Sequence, residues 1–216
     1  MHRLILALLL FCAAPVLADE QDTLKRIAAQ LEQHAVVRAE FTQTKQMAAL
    51  KRPLVSSGRL VFSRRHGVLW QIEQPYRMTY VLGAERIVEI AADGTHRQRG
   101  LREVPGLAQV GRVFRALLGA DTATLQENFA VTVTGDPADD GRWQIDLVPR
   151  SAQLAQFLRG LQLSGHAYAE NIVIEETGGG RGTDRTQIRL VDSHAAAAPS
   201  PDELRLFELS GEPARP

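Results

Sequence analysis

From Val37 onward the apolar residues of this chain recur at every second position, in one short segment after another, and that period leaves few alternatives to a β-sheet. Val37, Ala39 and Phe41 alternate with Arg38, Glu40 and Thr42, and Leu60 and Phe62 alternate with Arg59, Val61 and Ser63. Val68-Trp70-Ile72, Met78-Tyr80-Leu82 and Val88-Ile90 continue the series, separated by Arg65-His66-Gly67, Gln74-Pro75-Tyr76 and Gly83-Ala84-Glu85. Connections this brief join antiparallel neighbours. After a break, the alternation resumes at Phe129-Val131-Val133, Trp143-Ile145-Leu147, Leu161-Leu163, Ile172-Ile174, Ile188-Leu190 and Leu204-Leu206. The stretches Asp136–Gly141, Gly178–Gly182 and Ala195–Pro201 between them have the composition of loops.

Two segments carry a helical period instead. Leu24, Ile27, Ala28 and Leu31 fall on one face between Asp19 and His34, with Lys25, Arg26, Gln30 and Glu32 on the other, which predicts an amphipathic N-terminal helix. Between Pro105 and Asn128, Leu107, Val110, Gly111, Phe114, Leu117 and Leu118 share a helical face, Gly119 is placed to stop that helix, and Asp121 to cap a short one through Leu125. The expected fold is therefore mainly β, in the α+β sense. It is one curved antiparallel sheet of about ten or eleven strands, an incomplete barrel, with the helices against its concave side. Such a sheet needs either a packed core or a ligand on its apolar inner face, and the alternation is the same in both cases.

The first eighteen residues read as a secretory leader: His2-Arg3 are basic, Leu4–Ala14 apolar, and Val16-Leu17-Ala18 suit a cleavage site. A run this short, followed by Asp19-Glu20, falls below the ~20 apolar residues of a membrane span. Residues 19–216 then form a single domain that enters a compartment permitting disulfides, outside the cytoplasm. Cys12, the only cysteine, lies in the leader, so the expected mature chain has no disulfide. One of the 25 basic residues, Arg3, goes with the leader, so the remainder is one charge short of balancing the 25 acidic ones. That near-neutrality argues against nucleic acid as a partner, and a binding function has to rest on apolar surface.

The order Ala39-x-Phe41-Thr42-Gln43, then Gly58-x-Leu60, then a basic hairpin Arg64-Arg65-His66-Gly67 leading to Trp70, then Gln74-Pro75, resembles the LolA-like family of periplasmic outer-membrane lipoprotein carriers. The resemblance runs from about Asp22 to Pro213, with its specific residues concentrated between Ala39 and Pro75. It implies a half-barrel closed by a helical lid over an apolar cavity that takes acyl chains. It also implies a chaperone-like carrier that acts as a monomer and in which no cofactor or metal takes part. Its cargo is passed from an inner-membrane ABC-type release complex to an outer-membrane acceptor. On that reading Phe41, Leu60, Phe62, Trp70, Ile72, Met78 and Tyr80 line the cargo cavity, with dry core packing as the alternative. Val110, Phe114, Leu117 and Leu118 belong to the lid, and Arg64, whose fork carries five donors, latches it. An ordinary solvated hairpin tip is the alternative for Arg64.

Two departures stand out. Arg65-His66-Gly67 replaces the proline usual after the latch arginine, and Gly83-Ala84-Glu85 replaces an Asp-Gly turn. With Lys51-Arg52-Pro53-Leu54-Val55-Ser56-Ser57 before the glycine, the chain looks like a divergent branch found with exporters of polyenes or glycolipids, so a non-protein amphiphile is an alternative cargo. A second alternative is a non-catalytic envelope interaction module with a filled core, docking through Arg64-Arg65-His66. An enzyme is not expected. His34, His66, His96, His166 and His194 are scattered without ligand spacing, Ser164 and Ser210 lack a nucleophile elbow, and the adjacent acids Asp139-Asp140 and Glu175-Glu176 would face opposite sides of a strand.

Overall fold

The computed structural model of the chain describes residues 15–83, 86–100, 122–178 and 182–210. Helix α1 (Pro15–Glu32) leads into strands β1 (Val36–Gln46), β2 (Leu54–Ser63), β3 (Gly67–Gln74), β4 (Met78–Leu82), β5 (Arg86–Ala91) and β6 (His96–Gly100). A short helix α2 (Thr122–Asn128) precedes β7 (Phe129–Gly135) and β8 (Trp143–Pro149), and a single turn α3 (Ala152–Ala155) precedes β9 (Leu158–Gly165). Strands β10 (Ala169–Gly178) and β11 (Gly182–Ala196) complete the sheet before helix α4 (Pro201–Glu208).

The eleven strands form one antiparallel sheet in the order β6-β5-β4-β3-β2-β1-β11-β10-β9-β8-β7. The β1–β11 pairing, Val36↔Ala196 through Gln46↔Arg185, joins two meanders, and β6 and β7 are the free edges. Leu60 and Phe62 on β2 share one core cluster with Trp143, Ile145 and Leu147 on β8, and Leu24, Ile27 and Leu31 of α1 fill the space between them. Strands so far apart in the order meet in one core because the sheet curls around α1, as the long-sheet argument predicts.

Polar contacts fix α1 inside the curve. Arg26 pairs with Asp136 in the β7–β8 connection and the Gln30 amide donates to the His166 carbonyl at 2.6 Å, while just past the helix the His34 ring lies 4.9 Å from that of Tyr168. Trp143 Nε1 donates to the same His166 carbonyl at 2.7 Å, so the buried indole keeps its one donor satisfied.

The sequence reading meets one correction here. Leu204-Leu206, expected as a strand, lies in α4, where Ser200 and Glu203 make a reciprocal capping box and Pro201 occupies the first turn. Three alternating residues are too few to separate the two periods, and the cap is the stronger signal. Helix α4 does not share the face of α1. Phe207 packs with Val36, Val61, Leu69, Val81 and Val88 on the opposite face of the sheet. Strand β6 (His-Arg-Gln-Arg-Gly) escaped the sequence reading because it has no apolar alternation at all.

Candidate functional site

Register decides which side chains share a surface. Reading across β1 to β6, Ala39, Leu60, Trp70, Tyr80, Glu89 and Arg97 stand opposite one another in a single row. Directly opposite residues of antiparallel neighbours project to the same side. This row faces α1, since Leu60 and Trp70 pack in the cluster with Leu24 and Ile27. Phe41, Phe62, Ile72, Met78, Leu82 and Arg99 lie on that face as well. The row one residue along, Arg38, Val61, Leu69, Val81, Val88 and Gln98, belongs to the outer face.

Outer and inner rows differ in cover. Leu69, Val81 and Val88 are each 0% exposed beneath α4. The helix is held at both ends of that row: Arg38 grips Glu203 through Nε–Oε1 at 2.7 Å and Nη2–Oε2 at 2.6 Å, and Gln98 Nε2 donates to the Leu209 carbonyl at 3.1 Å. On the inner face of the same strands Val68 and Ile87 are buried but Trp70, Ile72, Met78, Tyr80 and Leu82 are only half-buried, and so are Gln71, Thr79 and Ile90 further along the outer face.

The seven residues expected to line a cargo cavity therefore fall into two groups. Phe41, Leu60 and Phe62 are buried in the packed core against α1. Trp70, Ile72, Met78 and Tyr80 form the half-exposed continuation of that core toward β4. Phe41 and Trp70 join the two groups, with ring centroids 3.9 Å apart and planes tilted by 31°. Gly58 stands opposite Phe41, and its backbone lies so close to β3 that an added Cβ would sit 1.9 Å from the Gln71 carbonyl oxygen. A cavity of about 240 Å³ lies elsewhere, where Glu20, Gln21 and Leu24 of α1 face Gln126, Val131, Val133 and Arg150, and none of the seven lines it.

Past Tyr80 the inner face becomes charged. Glu89 and Arg99 pair at 3.7 Å and Arg97 is exposed beside them. Burial first, then the negative charge of Glu89, raises the pKa of the Tyr80 hydroxyl above its ordinary value, so it remains a neutral donor. Glu89, Arg97 and Arg99 were not picked out from sequence. Only the β4–β5–β6 hairpins put them level with Tyr80.

Arg64 sits at the β2–β3 turn, where its backbone N–H donates to the Ala35 carbonyl at 3.1 Å and Nη1 lies 3.7 Å from Glu32 Oε1 at the end of α1. In the same turn, His66 accepts or donates at Nδ1 with Ser63 Oγ at 3.0 Å, and its ring lies 5.3 Å from that of Phe207. The basic turn is thus braced between α1 and α4. Val110, Phe114, Leu117 and Leu118 lie outside the described residues.

The model of the family described as outer membrane lipoprotein carrier protein LolA-like matches residues 13–207. The chain belongs to this LolA-like family. Members are carrier or binding proteins of the periplasm, and among the described residues no helix is long and apolar enough to cross a membrane. No curated protein matches the sequence. Among solved structures, a LolA superfamily protein from Nitrosomonas europaea aligns at a TM-score of 0.44 and 5% identity, over 86% of this chain and 96% of that one. A DUF1329 family protein from Desulfovibrio piger aligns at 0.44 and 10%, over 86% and 95%. The MucA/MucB complex of Pseudomonas aeruginosa aligns at 0.46 and 14%, over 86% and 60%.

Proposed function

We propose that this LolA-like chain is a periplasmic carrier that shelters the acyl chains of lipoproteins on the inner face of its half-barrel. It takes them from an inner-membrane ABC-type release complex and yields them to an outer-membrane acceptor. The observation that carries this reading is the unequal cover of one set of strands: Leu69, Val81 and Val88 on the outer side are sealed by α4, whereas the adjoining apolar residues Trp70, Ile72, Met78 and Tyr80 on the inner side keep part of their surface in water. An acyl chain laid on that strip removes apolar area from both partners, at ~0.8 kcal/mol for each methylene buried. A few such contacts give binding that is useful and still reversible. Phe41, Leu60 and Phe62 act as the floor that holds Trp70 in place. Glu89, Arg97 and Arg99 mark where the cargo's polar part returns to water.

Residues 1–18 serve as the leader that delivers the chain. Cleavage after Ala18 would place Asp19, Glu20 and Asp22 in the first turn of the shortened α1, where carboxylates favour the positive end of the helix dipole. The test is lipid extraction and mass spectrometry of the protein purified from its native envelope, together with displacement of a fluorescent acyl probe. An acylated protein or amphiphile that competes with the probe supports the carrier and names its cargo. A protein free of lipid that takes up no probe overturns it in favour of a filled-core interaction module.

A further inference from the structure

The topology gathers exposed apolar side chains at one end of the sheet. Strands β1, β3, β5, β8 and β10 finish there and β2, β4, β6, β7, β9 and β11 begin there. Among the described residues seven large hydrophobics are exposed, and all except Val191 lie at this end. Four of them belong to two adjacent turns. Leu50, Leu54 and Val55, at 46%, 53% and 54% exposure, lie on or beside the β1–β2 connection, and Tyr76, at 60%, lies on the β3–β4 turn. Extending the Ser57↔Gln74 register by two residues brings Val55 level with Tyr76, so the four form one rim.

Residues 47–53 and 75–77, which make the two turns, carry Lys51, Arg52 and Arg77 and no acid, and the acids near them are Asp184, which accepts from the Ala48 N–H at 2.9 Å, and Asp93 on the β5–β6 turn. Between Glu40 and Glu73 the chain has no acidic residue but carries Lys45, Lys51, Arg52 and Arg59, besides Arg64 and Arg65 at the other end of β2, in a protein whose formal net charge is zero. Lys45 is neutralised by Glu176 at 2.8 Å and Arg59 by Glu73 at 2.8 Å. Lys51, Arg52 and Arg77, the cations on the two turns, are exposed and have no carboxylate partner among the described residues.

We propose that this rim is a membrane-docking site that seats on an anionic phospholipid surface, independently of cargo on the inner face. Leu50, Leu54 and Val55 enter the headgroup boundary, Tyr76 places its ring there with its hydroxyl toward water, and Lys51, Arg52 and Arg77 meet lipid phosphates. Apolar tips flanked by basic side chains suit a lipid interface, where buried apolar area and attraction to anionic lipid add. Long basic stems also lie along apolar surface while keeping their charge in water.

Flotation of the full chain with phosphatidylglycerol/phosphatidylethanolamine vesicles, against pure phosphatidylcholine vesicles, tests this. Binding is expected to the anionic vesicles, to weaken when salt rises from about 0.05 to 0.5 M, and to fall at least about tenfold in Leu50→Glu/Leu54→Glu and in Lys51→Glu/Arg52→Glu. Val191→Glu, on exposed β11 away from the rim, should bind as the parent does. Because the substituted side chains are exposed, circular dichroism should show an unchanged fold, and acyl-probe uptake should persist in both double variants. That separates failure of docking from failure of the carrier reading. No flotation with anionic vesicles, or flotation indifferent to both double variants, overturns the proposal. So does a dimer in sedimentation velocity that Leu50→Glu/Leu54→Glu disperses, since the rim would then be a contact between copies of the chain.

Discussion

Truncating Phe207 to alanine isolates what α4 contributes. Phe207 is 2% exposed and packs on Val36, Val61, Leu69, Val81 and Val88, so its ring closes the outer face over five strands. A buried phenylalanine removes ~150–250 Å² from water, which at ~25 cal/mol per Å² is worth ~4–6 kcal/mol. Alanine keeps one carbon of that and leaves a cavity which α4 only partly fills by settling inward, so a loss of ~3–5 kcal/mol is expected. In a domain of this size each kcal/mol moves Tm by ~2–4 °C, giving a fall of ~6–20 °C. Phe207→Leu, which refills most of the volume, should lose about half as much or less. The assay is urea denaturation followed by tryptophan fluorescence and far-ultraviolet circular dichroism, with equal m-values checked before midpoints are compared. Below saturation of the transition, the folded fraction should still take up the acyl probe, because the substitution lies on the face opposite the inner strip. A cost under ~1 kcal/mol, with Phe207→Leu indistinguishable from Phe207→Ala, would refute the docking of α4 and the one-sided cover on which the functional reading rests.

Met78→Glu should leave stability within ~1 kcal/mol, as the site is half-buried, and weaken acyl-probe affinity about tenfold or more by placing a carboxylate on the strip; unchanged affinity in titrations would remove Met78 from the site. Glu203→Gln should cost ~1–3 kcal/mol near pH 7 through the weakened Arg38 grip. The Arg38 hydrogen bonds, joined by the Ser200 backbone N–H and the Arg38 charge and opposed by burial, hold the Glu203 carboxyl below its ordinary value. Its stabilisation is therefore present above the unfolded pKa of ~4.3 and lost as pH falls through the lower folded value; in melts run from pH 7 downward, the gap between parent and variant should close only below about pH 4. Gly58→Ala forces a methyl against the Gln71 carbonyl and should destabilise by at least ~1–3 kcal/mol, with loss of the Phe41–Trp70 contact seen as a change in tryptophan emission; a neutral result would show that β3 yields there. Intact mass of the protein from its native envelope should correspond to a chain beginning at Asp19, and retention of residues 1–18 would refute the leader.

Most of the sheet was legible before any coordinates. The alternation at Phe41, Leu60, Trp70 and Ile145 and the brevity of the turns specify strands, antiparallel pairing and a single curled sheet, since a side-chain period of two has one structural solution. The apolar stripe of α1 likewise announces a helix with one buried face. What escaped was whatever lacks a period of its own. Strand β6 is polar throughout and is recruited by backbone pairing with β5. Helix α4 is too short for its periodicity to outweigh a strand-like triplet, and its capping box was the better sign.

The candidate site divides along the same line. Sequence by itself determined which residues are apolar, that they belong to strands, and that one stretch of the chain is basic without a single acid. Tertiary structure alone decided that Phe41, Leu60 and Phe62 go under α1 while Trp70, Ile72, Met78 and Tyr80 stay half in water, and that Arg64 braces α1 through Glu32. Burial depends on what another element lays across a face, and neither the reach of α1 nor the side chosen by α4 is encoded in the alternation of the strands they cover.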